Sequence, residues 1–118
     1  METTCEDLGN LVLLTFWGRR LDVASKTDFT AAARESVLPD RRIYVLDLSN
    51  VTFVDSSGIG AIVGFMKHLG HNRRLELCGL SPSVRKVFRL TRLDKVFTIR
   101  DHREACLAEY AHSGLAAS

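Results

Sequence analysis

From Arg42 to Leu48 the chain reads Arg-Ile-Tyr-Val-Leu-Asp-Leu, an almost continuously apolar run. That is the pattern of a strand covered on both faces, as at the centre of a parallel sheet. A parallel sheet needs helical crossovers, and the flanking sequence supplies them. Leu11 to Trp17 is a second apolar run, closed by Gly18. Between the two, Phe29, Ala32, Ala33, Ser36 and Val37 recur at helical spacing, which predicts a helix over Asp22–Leu38 stopped by Pro39. After the central strand, Ile59, Ile62, Val63, Met66 and Leu69 form an apolar stripe that runs from Gly60 to a stop at Gly70. Arg74–Cys78 predicts a third strand. Ser81-Pro82 predicts the start of a short helix, with serine as N-cap and proline in the first turn. Its Val84, Val87 and Phe88 face inward, and Arg85, Lys86 and Arg89 outward. Val96–Ile99 and Arg103–Tyr110 predict a last strand and a closing helix, with residues 113–118 as a frayed tail and residues 1–9 as an N-terminal segment or short edge strand. The order is that of one α/β domain over residues 10–112 with a largely parallel sheet. Trp17, Phe53, Phe65, Phe88 and Phe97 are expected to fill the core.

Composition narrows the class. The 118 residues suffice for one core, and 46% hydrophobic with 25% charged residues describes a soluble globular chain. The longest apolar run, Leu11–Trp17, is too short to span a bilayer, and the acidic start Met1–Asp7 lacks the features of a secretory signal. The odd cysteine count (Cys5, Cys78, Cys106) suits reduced thiols in a cytoplasm. The net charge of +2 conceals nine basic residues against two acids between Gly60 and Arg100. No aromatics are interleaved with them for base stacking and no helix-turn-helix spacing occurs, so an acidic protein partner fits this charge better than nucleic acid. Nothing in the sequence demands more than a monomer.

The residues that carry chemistry lie just after the central strand, in Val51-Thr52-Phe53-Val54-Asp55-Ser56-Ser57-Gly58-Ile59-Gly60. Two hydroxyls follow a carboxylate at the start of a helix. The N–H groups and partial positive charge of a helix N-terminus let the fold tolerate a phosphate there. A phosphate would add a charge of about −1.5 to −2 at the surface with little effect on the core. Taken alone, Asp-Ser-Ser-Gly also reads as ordinary helix capping. Gly58, Gly60 and Gly64 leave the first turns nearly bare, at a cost of about 1 kcal/mol each relative to alanine. Another backbone is therefore expected to approach, from a partner or from the neighbouring sheet.

Other chemistries fail on detail. The glycines Gly58, Gly60 and Gly64 miss the dinucleotide fingerprint by one place, and Cys78 stands where a ribose-binding acid belongs. Val54 occupies the glycine position of a hydrolase elbow. Asp47 lacks the acidic pair of a phosphorylated receiver aspartate and reads as a structural carboxylate. His68 and His71 straddle the helix stop and have no fourth ligand with Cys78, so no metal and no cofactor is expected. His102 and His112 lie near the ends of the last helix and belong to no constellation.

Asp55-Ser56-Ser57-Gly58-Ile59-Gly60, preceded by Leu46-Asp47-Leu48 and followed by Gly64, resembles the phosphorylation-site signature of the STAS domains, and in particular of the bacterial anti-sigma-factor antagonists. Leu77-Cys78-Gly79-Leu80-Ser81-Pro82-Ser83-Val84, with Phe88, Leu90, Thr91 and Leu93 behind it, resembles a second signature. Gly18-Arg19-Arg20-Leu21-Asp22 resembles the first, with one residue more between glycine and leucine. The resemblance covers residues 10–110. It implies an α/β STAS fold: a mixed, largely parallel sheet of four to five strands with helices mainly on one side. It also implies partner switching and no enzymatic activity. In that family the unphosphorylated antagonist binds an anti-sigma factor that is also a serine kinase of the histidine-kinase-like ATPase type. Phosphorylation of the serine after the aspartate breaks the complex, and a metal-dependent serine phosphatase restores it. Carried over, the phosphoacceptor is Ser56, its neighbours are Asp55, Ser57 and Asp22, and Ile59, Gly60 and Gly64 belong to the partner surface. A second role known among small STAS domains, as subunits that stabilise the ATPase of lipid-transport ATP-binding-cassette complexes, needs no phosphorylation.

Overall fold

The computed structural model describes residues 2–117, with side chains as far as residue 111. In chain order the elements are β1 (Thr3–Asp7), β2 (Val12–Phe16), β3 (Arg20–Leu21), α1 (Lys26–Glu35), β4 (Ile43–Asp47), β5 (Phe53–Val54), α2 (Ser56–Leu69), β6 (Arg74–Cys78), α3 (Pro82–Leu90), a 3₁₀ turn (Leu93–Lys95), β7 (Thr98–Arg100) and α4 (Arg103–Ala117). The expected tail at 113–118 lies outside the residues described in full. Five strands form one sheet in the order β1-β2-β4-β6-β7. β1 runs antiparallel to β2, and the other pairings are parallel.

The continuously apolar central strands are explained by two cores. Val12, Leu14, Phe16, Tyr44, Leu46, Leu75 and Leu77 point to one face and pack on Phe29 and Ala33 of α1, Ile62, Phe65 and Leu69 of α2, and Val84 and Phe88 of α3. The alternating residues Leu11, Leu13, Val45 and Cys78 point to the other face and pack on Cys106 of α4. The crossovers β2-α1-β4 and β4-α2-β6 step the same way across the sheet. A common right-handed crossover lays α1 and α2 side by side on one face. Three helices therefore cover one face and one covers the other.

Several expectations need correction. The first helix starts at Lys26 and not Asp22, because Ser25 N and Lys26 N both fold back onto Asp22 O (3.1 and 2.9 Å). It ends at Glu35 and not Leu38, whose N–H and C=O both bond the Tyr44 hydroxyl at 2.9 and 3.3 Å. The last strand is shifted from Val96–Ile99 to Thr98–Arg100. Arg92 is left-handed (φ 61°), and the turn it opens brings Val96 N and Phe97 N onto Leu93 O, both at 3.0 Å. A second, two-stranded parallel sheet, β3 with β5, pairs Arg20 with Phe53 and Leu21 with Val54; it is absent from the sequence reading. The buried face of α2 is Gly58, Ile62, Phe65 and Leu69, while Ile59, Val63 and Met66 are only half-buried. Phe65, Phe88 and Phe97 fill the core, but Trp17 and Phe53 do not, at 53% and 40% exposure. The Trp17 Nε1 donates to Thr4 Oγ1 (2.8 Å) at the sheet rim, and Phe53 carries the Arg20 guanidinium on its ring face at 4.1 Å.

Candidate functional site

The α2 N-terminus is built by a carboxylate clamp. Asp55 is its N-cap in extended conformation, and its Oδ1 accepts from Gly58 N at 2.9 Å. The second oxygen, Oδ2, accepts from Val23 N at 3.3 Å, so one side chain ties α2 to the loop that leads into α1. That loop is ordered by Asp22, whose Oδ1 accepts from Ala24 N (3.1 Å) and the Ser25 hydroxyl (3.3 Å) and whose Oδ2 accepts from Arg20 Nε (3.2 Å). Partial burial alone would raise the Asp22 carboxyl, but the donors from Arg20, Ala24 and Ser25 outweigh it and hold it below the usual carboxylate range. Asp22 and Asp55 therefore flank the site as carboxylates already engaged by donors.

Ser56 and Ser57 are the first two residues of α2, the former exposed and the latter half-buried. Among the described residues, no side-chain hydrogen bond engages either hydroxyl. Both line a groove of about 710 Å³ between α1 and α2, together with Gly60, Ala61 and Gly64 on one wall and Lys26, Thr27, Thr30, Ala31 and Arg34 on the other. The three glycines divide by role. A Cβ at Gly58 would overlap the Leu21 carbonyl oxygen and meet Val54 Cγ1 at 3.0 Å, so its bareness serves the neighbouring β3 backbone. At Gly60 and Gly64 a Cβ would meet nothing within 4 Å. Their bareness leaves the groove floor open; Ile59 is half-buried against the core and is not among the residues that line the groove. The α1 wall was not singled out by sequence reasoning. Its signal was present as the i, i+4, i+8 spacing of Lys26, Thr30 and Arg34, but helix polarity alone does not say which polar face meets a neighbour.

The other candidates are placed elsewhere. Asp47 is 2% exposed; its Oδ1 accepts from Ser49 N (2.9 Å) and Ser49 Oγ (2.6 Å), and its Oδ2 takes Arg103 Nε at 2.7 Å. It is a structural carboxylate. His68 and His71 are exposed while Cys78 is buried, and no group of three metal-ligating side chains occurs among the described residues. Cys5, Cys78 and Cys106 are free thiols. A hydrogen bond with Cys106 and burial push the Cys78 thiol up, so it stays protonated. The basic excess after Gly60 is partly internal: Arg74 and Arg100 pair with the buried Glu76 at 2.9 and 2.8 Å, and Arg85 reaches Asp101 at 3.4 Å. No helix among the described residues is long and apolar enough to cross a membrane.

Residues 6–106 match the profile of the STAS domain. The chain belongs to the STAS family. The anti-sigma-B factor antagonist of Staphylococcus aureus is 32% identical over 111 residues, covering 88% of this chain and 94% of the relative. Among solved structures, an anti-sigma factor antagonist from Mycobacterium paratuberculosis superposes with a TM-score of 0.82 at 24% identity, over 92% of each chain. The Bacillus cell-fate determinant SpoIIAA in its phosphorylated form superposes with a TM-score of 0.65 at 24% identity, over 88% of this chain and 96% of that one. Ser56 and Ser57, within the matched range, line the α1/α2 groove.

Proposed function

We propose that this STAS protein is an anti-sigma-factor antagonist that works in the cytoplasm by partner switching at Ser56. Unphosphorylated, it binds an anti-sigma serine kinase of the histidine-kinase-like ATPase type through Ser56, Ser57, Ile59, Gly60, Gly64 and the Asp22 loop, and so frees the kinase's target. Phosphorylation of Ser56 breaks the complex, and a metal-dependent serine phosphatase restores it. The protein is a substrate and a binding module with no catalytic step of its own.

The observation that carries this reading is the exposed Ser56 hydroxyl at the first position of a 14-residue helix, at the edge of an open groove. A hydroxyl so placed is accessible to a kinase, and its phosphate meets helix N–H groups without entering the core. The named role of the Staphylococcus aureus relative supports the same assignment.

The test is retention of proteins from native lysate by wild type, Ser56→Ala and Ser56→Asp. A small ATPase-type kinase is expected on wild type and on Ser56→Ala, with at least tenfold less on Ser56→Asp. Equal, tight retention by all three overturns the switch. Retention of a transporter ATPase by all three identifies a constitutive transport subunit. The exposed Lys86 and Arg89 on α3 are the feature that favours that second reading.

A further inference from the structure

The α1 wall of the groove carries charge at specific heights. Lys26, Thr30 and Arg34 stand one turn apart on α1, and Ser56, Gly60 and Gly64 stand one turn apart on α2. The two helices run in the same direction on the same face of the sheet, so Lys26 and Ser56, each the first residue of its helix, belong to the N-terminal end of the groove, and Arg34 and Gly64 lie toward the other. The helices are tied together at the Lys26 end, because Asp55, one residue before Ser56, accepts from the backbone of Val23, three residues before Lys26. The charged groups around Ser56 are then few. Asp55 is committed to Gly58 N and Val23 N, Asp22 and Arg20 are paired with each other at 3.2 Å, and Lys26 has no ion-pair partner among the described residues.

We propose that a phosphate on Ser56 is held across the mouth of the groove by the Lys26 ammonium, so that phosphorylation closes the α1/α2 groove as well as adding charge. The inference rests on the reading of Ser56 as the phosphoacceptor and adds how the modified state is held. A serine phosphate at the α2 N-terminus has three acceptor oxygens, enough to meet helix N–H groups and a lysine of the neighbouring helix together, and a charge-assisted N–H···O bond to a phosphate dianion is stronger than one to a neutral hydroxyl. Lysine suits the task because its flexible stem lets a point charge follow the phosphate. In the unphosphorylated protein Lys26 has no such anion to bind, and Gly60 and Gly64 remain open to a partner.

The experiment uses full-length protein carrying phosphoserine installed at position 56 during translation, which removes any dependence on the cell's own kinase. Phosphorus NMR then follows the second ionisation of the phosphate in wild type, Lys26→Met and Lys26→Arg. The expected result is an ionisation in wild type roughly half a pH unit below that of Lys26→Met, the scale of an exposed ion pair, with the low value kept in Lys26→Arg. Lys26 is exposed, so neither variant endangers the fold. Identical titrations in wild type and Lys26→Met overturn the pairing. Binding of the same proteins to the retained kinase separates the two ideas. If phosphorylation abolishes binding while the titrations coincide, the switch stands and the pairing falls. If the titrations differ while phosphorylated protein still binds, the pairing stands and the switch falls.

Discussion

Gly58 and Gly60 are two residues apart on one helix and obey opposite rules. At Gly58 an added methyl group collides with the β3 backbone (Leu21 C at 2.8 Å), which cannot yield without breaking its pairing to β5. Gly58→Ala is expected to cost roughly 2–3 kcal/mol, read as a fall in the urea midpoint at unchanged slope. Gly60→Ala meets empty space and gains helix propensity, so it is expected to stabilise by up to about 1 kcal/mol in the same experiment while weakening partner binding at the groove. Asp55 shows the same double character. Its capping role was legible from Asp-Ser-Ser-Gly, but its second oxygen, bonded to Val23 N, was not, because that partner is 32 residues away. Asp55→Ala is expected to cost about 1–2 kcal/mol by removing the cap and the loop tie together.

Among the elements, α4 is held to its face of the sheet by a polar pin as well as by apolar contact. Arg103, its first residue, donates to Asp47 at the end of β4 (2.7 Å) and to Thr15 on β2 (3.2 Å). Replacing Arg103 by Ala leaves the buried Asp47 carboxylate without its cation. Loss of about 3 kcal/mol is expected by denaturant titration, with faster amide exchange in α4 before the rest of the sheet. The strands β4 and β6 lie within a residue of where the sequence places them, and α3 starts at the expected Ser81-Pro82, since apolar runs and that start are local signals. The start of α1 and the position of β7 were misjudged because each depends on a turn, Asp22–Ser25 and Arg92–Val96, whose backbone bonds leave no hydrophobic pattern. The two-residue strands β3 and β5 are too short to show any period.

At the scale of the whole molecule, Glu76 on β6 is a fully inaccessible carboxylate held between Arg74, Arg100, Tyr110 and the Cys106 thiol. Burial alone would raise its carboxyl, but hydrogen bonds from Arg100 and Tyr110 and the charges of Arg100 and Arg74 outweigh that and hold it below the ordinary value of 4.5. A carboxyl lowered on folding contributes stability that is complete above the unfolded value and disappears as pH falls through the folded one. Thermal melts are therefore expected to hold steady near neutrality and to drop below about pH 4.5. Glu76→Gln should lower stability by roughly 2–3 kcal/mol at pH 7, and its deficit against wild type should shrink as the acid branch is entered. A deficit independent of pH would remove Glu76 from the acid transition. The Tyr110 hydroxyl, pushed up to about 12 by burial and its bond to Glu76, gives the opposite sign. Its contribution is complete below its unfolded value near 10 and disappears as pH rises toward 12.

The sequence by itself determined that the chain is an α/β domain of the STAS type with a largely parallel sheet and two hydroxyls at a helix start. Apolar runs, caps and glycines act over one or two turns and are readable wherever they stand. Tertiary structure alone decided which glycine serves the sheet and which opens the groove, and that Trp17 and Phe53 lie on the surface. It also brought Lys26 and Ser56 to the lining of one groove and divided the basic residues between pairing Glu76 and facing solvent. Each of these depends on residues brought together from separate elements by the crossovers, and a contact between distant segments leaves no period in either one.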